Sequence, residues 1–98
     1  MKFDIIERRE AINTILYIAD HPNCTRQDVM YENEFNPRAR FNRIKDFIDY
    51  GLIESKWIRV SPDNQRLVLQ LTDAGRELTD YLKKIEAIPT LQPQYIEI

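Results

Sequence analysis

The chain has 98 residues, 43% of them hydrophobic and 31% charged, with 14 basic residues against 16 acidic and a net charge of −2. That length holds one domain, and that composition belongs to a globular chain rather than a disordered one. One cysteine and one histidine exclude an internal disulfide and a cysteine-based zinc cluster, and two glycines leave no room for a glycine-rich phosphate loop. No apolar run is long enough to cross a bilayer and no secretory leader opens the chain, so a cytoplasmic domain is expected. Neither an enzyme, a cofactor nor a metal site is expected: Cys24 has no base beside it, and Glu32, Glu34 and Glu54 are scattered acids.

Residues 4–19 predict a first helix, in which Ile5, Ile12, Ile15, Leu16 and Ala19 form one apolar stripe. Pro22 stops it, and His21 is placed to meet its last carbonyls. Asn23 and Thr25 offer caps for a short second helix from Thr25 to Asn33, with Asp28 three residues after Thr25. Val29 and Met30 or Tyr31 anchor it. Asn36 is a favourable N-cap for a third helix, and Pro37 suits its first position. That helix runs to about Tyr50, buries Phe41, Ile44, Phe47 and Ile48, and stops at a left-handed Gly51.

Residues 52–60 and 66–71 predict two strands. Ser61-Pro62-Asp63-Asn64-Gln65 between them suits a type I turn with Asn64 left-handed, so the pair is a hairpin. Trp57 reads as packing within that hairpin. Thr72 caps a last helix with Asp73 in its first turn, and Leu78, Tyr81 or Leu82, Ile85 and Ile88 carry its stripe. Pro89 ends it. The domain is 1–88 and the tail 89–98.

The order helix, helix, helix, hairpin, helix makes a mainly α chain with a small β-hairpin, a winged helix-turn-helix. The stretch from Val29-Met30-Tyr31 through Asn36 to Gly51-Leu52-Ile53-Glu54, followed by Leu71-Thr72-Asp73-Ala74-Gly75-Arg76, resembles the small archaeal winged-helix predicted transcriptional regulators. In that family the third helix ends Gly-Leu-Ile-Glu, and the last one opens Leu-Thr-x-x-Gly-Arg or Lys. The resemblance spans residues 5 to 88 and implies a DNA-binding winged helix. Arg40 departs from it, standing where the family usually places an apolar residue. Either the third helix is rotated slightly or Arg40 snorkels to the surface.

The basic charge falls in two windows. Residues 38–45 carry Arg38, Arg40, Arg43 and Lys45 with no acid among them, and residues 56–66 carry Lys56, Arg59 and Arg66 against Asp63. On a helical wheel Arg38, Asn42 and Arg43 lie opposite the apolar stripe, and Arg40 lies near its edge. Arginine forks onto guanine and asparagine pairs with adenine, so Arg38, Arg40, Asn42, Arg43 and Lys45 are the candidate major-groove contacts. Lys56, Arg59, Gln65 and Arg66 on the hairpin are candidates for phosphates or the minor groove, and Arg26 with Thr25 for a phosphate at the start of the second helix. Asp46 and Asp49, further along the third helix, would repel a phosphate backbone. The expectation is a sequence-specific double-stranded DNA-binding protein, a small transcription regulator that represses by occluding a promoter. It would act as a possible homodimer through the last helix or the tail. The alternative is a winged-helix protein–protein interaction module without direct DNA reading, motivated by the net charge, the acids of the third helix and the apolar residues of the tail.

Overall fold

Glu10 breaks the first predicted helix in two. In the computed structural model, which describes residues 2–33 and 36–90, Glu10 is left-handed at φ 62° and ψ 13°. The span 4–19 therefore divides into α1 (Asp4–Glu7) and α2 (Ala11–Asp20). A left-handed residue with a Cβ costs about 1–2 kcal/mol. Its carboxylate offsets part of that cost by accepting a hydrogen bond from Asn13 Nδ2 at 2.8 Å. The break re-phases the stripe. Ala11, Thr14, Ile15 and Ile18 are buried, whereas Ile12, predicted inside, is exposed.

His21 closes α2 by donating from Nδ1 to the Tyr17 carbonyl at 2.9 Å, with its ring stacked on Tyr17. α3 is Arg26–Met30, three residues shorter at its C-terminal end than predicted. Its cap is a reciprocal box. Thr25 Oγ1 accepts from the Asp28 N–H at 3.2 Å, and Asp28 Oδ2 accepts from the Thr25 N–H at 2.9 Å. Asn23 does not cap; it is left-handed, and its side chain accepts from Gln70 at 2.7 Å.

α4 (Pro37–Asp49) starts with Pro37 at its first position, as predicted. Asn36 does not cap through its side chain, because it sits in the left-handed region at φ 59°. The buried residues are Arg40, Ile44 and Phe47, with Phe41 and Ile48 only half-buried. Relative to the predicted stripe the helix is turned by about 40° about its axis. Rotation is therefore the resolution of the Arg40 departure, and the side chain does not snorkel out.

β1 (Ile53–Ser61) and β2 (Asn64–Leu71) form a two-stranded antiparallel sheet. Ser61 pairs with Asn64, so Pro62 and Asp63 make the turn, and Asn64 is a strand residue with no positive φ. A bulge lies between Arg59 and Ser61. At the root, a single bridge joins Cys24 to Leu69 through the Leu69 N–H and the Cys24 carbonyl at 2.8 Å.

The two motifs behind the family resemblance dock on each other. Gly51 is left-handed at φ 72°, as predicted. Thr72 Oγ1 donates to its carbonyl at 2.6 Å, and the Thr72 N–H reaches the Leu52 carbonyl at 3.1 Å. The same Oγ1 accepts from the Gly75 N–H, capping α5 (Asp73–Glu86). Gly75 lies so close to Leu52 that a Cβ there would collide with the Leu52 carbonyl oxygen. This contact seats α5 against the end of α4.

The core gathers Ile5, Ile15, Ile18, Val29, Ile44, Phe47, Ile53, Leu69 and Leu82 around α2, which touches every other helix and β2. Of the predicted α5 stripe, Leu82 is buried and Leu78 half-buried, whereas Tyr81, Ile85 and Ile88 are exposed. The result is a small helix-rich domain with a two-stranded antiparallel hairpin, an order compatible with a winged-helix layout. No helix among the described residues is long and apolar enough to cross a membrane. The predicted strand or docking role of residues 91–98 lies outside the described residues.

Candidate nucleic-acid interface

The predicted cations of α4 divide into three fates. Arg40 is buried at 3% exposure. Its Nη1 donates to the Val29 carbonyl at 3.0 Å and to the Glu32 carboxylate at 2.9 Å, and its Nε lies 3.6 Å from Glu10 Oε1. The guanidinium thus satisfies a carbonyl near the end of α3 and holds two acids. Its charge is used inside the fold, and Arg40 is corrected from a candidate contact to an internal brace.

Arg43 was expected on the exposed face but is turned against the α1–α2 corner. Its Nε lies 2.8 Å from Asp46 Oδ2, and its Nη1 reaches the Arg9 carbonyl at 3.4 Å. Arg8 approaches the same Asp46 oxygen at 3.0 Å. The contacts to Asp46 are ionic and lack hydrogen-bond alignment, leaving Arg43 Nε and Asp46 Oδ2 without a hydrogen-bond partner. Asp46 in turn raises the Arg8 pKa above its ordinary value. With Asp4 also 3.7 Å from Arg8, two carboxylates meet two guanidiniums and the cluster is neutral, so the Asp46 charge is offset and opposes a phosphate backbone less than its sequence position implied.

Arg38 and Lys45 remain on the outer face. Both are exposed, Asn42 between them is half-buried, and Asp49 follows at the far end. Lys45 Nζ sits 5.6 Å from the centre of the Phe41 ring, which leans its stem along the helix. At 100° per residue, positions 38, 42 and 45 fall within about 60° of arc, a single stripe along the helix.

On the hairpin Arg59, Gln65 and Arg66 are exposed, with Arg59 paired across the sheet with Gln65 and Arg66 with Ile58. Lys56 is partly neutralised by Glu54 at 3.3 Å. Arg26 is exposed at the first position of α3, whereas the Thr25 hydroxyl is engaged by the Asp28 N–H. Among the described residues Arg26, Arg38, Lys45, Arg59 and Arg66 make no ion pair within 4.0 Å.

Trp57 was expected to pack within the hairpin and does not: it is 67% exposed. Nothing in its strand propensity marked it, because period-two patterning tells which face a residue lies on and not where the core beneath that face ends. No group of three or more His, Cys, Asp or Glu residues suited to a metal occurs among the described residues. No family model, no curated protein and no solved structure matches this chain.

Proposed function

We propose that this chain is a winged helix-turn-helix protein that binds double-stranded DNA with sequence specificity, a small cytoplasmic transcription regulator that represses by covering a promoter. The observation that carries the reading is the outer stripe of α4. Arg38, Asn42 and Lys45 line it, one neighbouring acid, Asp46, is neutralised by Arg8 and Arg43, and the other, Asp49, lies at the far end of the helix. In this reading the N-terminal half of α4 enters the major groove. Arg38 forks onto guanine, Asn42 meets an adenine edge, and Lys45 takes a phosphate. Arg59 and Arg66 hold the flanking backbone from the wing, and Arg26 adds a contact from α3. The resemblance of the paired Gly51-Leu52-Ile53-Glu54 and Leu71-Thr72-Asp73-Ala74-Gly75-Arg76 motifs to archaeal winged-helix regulators supports the same reading.

Phosphate contacts by Arg26, Arg38, Lys45, Arg59 and Arg66 give a salt slope of about −4 to −5 for one copy. Specific binding is then helped by two copies on a two-fold site. The outer face of α5 and the turn after it, with Tyr81, Ile85 and Ile88 all exposed, supplies a self-pairing surface. Anisotropy titrations of a randomised duplex pool across salt test the reading. Selected duplexes should bind with that slope, and Arg38→Ala with Lys45→Ala should reduce it by about two and weaken binding at least ten-fold. A protein that leaves all duplexes unbound at low salt, or whose binding ignores Arg38, refutes it.

A further inference from the structure

The hairpin extends beyond the core it grows from. Ile53, Leu69 and Leu71 pack at its root, whereas β1 is exposed from Glu54 to Trp57 and again from Arg59 to Ser61. At about 3.4 Å per residue, the pairs from Trp57–Leu67 to Ser61–Asn64 add about 14 Å of ladder past the core. Cross-strand partners share a face, so Ser55, Trp57, Arg59, Gln65 and Leu67 lie on the side that closes on the core at the root. That face contains one indole at 67% exposure, a half-buried leucine beside it and a guanidinium one pair further out. It contains no acid. Glu54 lies on the opposite face bound to Lys56, and Asp63 is in the turn.

An exposed tryptophan this large is costly to leave in water, and its neighbours indicate what covers it. An apolar protein surface or an uncharged lipid would satisfy the indole alone. A flat π-face carried on an anionic chain satisfies the indole and the guanidinium together. We infer that Trp57 stacks on a nucleobase that has left the helical stack, with Arg59 holding the adjoining phosphate, so that the hairpin recognises an unpaired base flanking the duplex seated on α4. The inference rests on the DNA-binding reading and adds to it the class of nucleic acid preferred: a duplex with an unpaired base, or a single-stranded extension, over an unbroken duplex.

Trp57 is the only tryptophan of the chain, so its own emission reports the contact. The 98-residue chain is titrated with an unbroken duplex, the same duplex bearing one unpaired base, and the single strand, and separately with vesicles of phosphatidylglycerol. The expected result is quenching of Trp57 by the two ligands with an unpaired base, and tighter binding to the bulged duplex than to the unbroken one. Trp57→Ala, at an exposed site that leaves the far-ultraviolet spectrum unchanged, should lose about five-fold or more in affinity for the bulged duplex and less than two-fold for the unbroken one. Trp57→Phe should recover most of the loss. Arg38-dependent duplex binding with silent Trp57 emission and no effect of Trp57→Ala overturns this inference and leaves the DNA-binding reading standing. Failure of every oligonucleotide to bind overturns both, and a blue shift with vesicles alone assigns the indole to an anionic lipid surface instead.

Discussion

Removing the Arg40 guanidinium should destabilise this domain severely while leaving its outer surface intact. The side chain is 4% exposed and faces Glu10, whose side chain is 12% exposed, at 3.6 Å. At that distance and an effective dielectric of 20 the gross attraction is about 4–5 kcal/mol, opposed by the desolvation of both groups. Glu32 is 40% exposed and can return to water, so its pair contributes little. Arg40→Ala leaves Glu10 charged without its partner and the Val29 carbonyl without its donor. Such a break costs about 3–5 kcal/mol, a large share of the 5–15 kcal/mol typical of a domain. The melting temperature should fall by at least about 12 °C. Replacing the pair by uncharged groups, Arg40→Met with Glu10→Gln, should recover at least half of the loss, because no isolated charge then remains. Urea unfolding followed by far-ultraviolet circular dichroism is the assay, since Trp57 is already exposed in the native state. A loss under about 1 kcal/mol for Arg40→Ala, or a double variant no more stable than Arg40→Ala, would refute the reasoning.

Gly75→Ala runs against helix propensity. Alanine ordinarily favours a helix by about 1 kcal/mol, but here its methyl meets the Leu52 carbonyl oxygen, and thermal melts should show a net loss of about 1–3 kcal/mol. Thr14 is fully buried and its hydroxyl has no hydrogen-bond partner among the described residues, so Thr14→Val should gain about 1 kcal/mol in the same assay. Burial raises the Cys24 thiol from 9.0 to about 11. The folded state then keeps a proton that the unfolded chain releases, so stability should fall by about 1.4 kcal/mol per unit as pH rises through that window. Tyr17, raised by burial, and Lys83, raised by its hydrogen bond to Asp20, act in the same alkaline direction. Urea midpoints from pH 8 to 11 for Cys24→Ala should show a shallower fall than the parent protein, and an identical pH profile would count against the assignment. Ile85→Asp should abolish any concentration-dependent dimer seen by light scattering without unfolding the chain, since Ile85 is 63% exposed.

Elements with a purely local cause were legible in the amino-acid sequence. Pro37 opening α4, the Thr25–Asp28 box, the left-handed Gly51 and the Thr72 cap each depend on the chemistry of a few consecutive residues, and each stands where it was expected. Four outcomes depended on groups far apart in the chain. The break at Glu10 has no proline or glycine to announce it; it stands where Glu10 meets Arg40 and Arg8 meets Asp46. The rotation of α4 follows from the same contacts, because periodicity assumes that an arginine stays outside, and here an acid on α2's cap and a carbonyl of α3 draw it in. The exposure of Trp57 and of the Tyr81–Ile85–Ile88 stripe reflects where the core runs out, a property of the assembled volume and not of any segment. A sequence pattern reports which residues can share a face. Which cations stay available on that face is decided only when charges from distant positions come within ion-pair distance, since Coulomb attraction acts on separation in space and not along the chain.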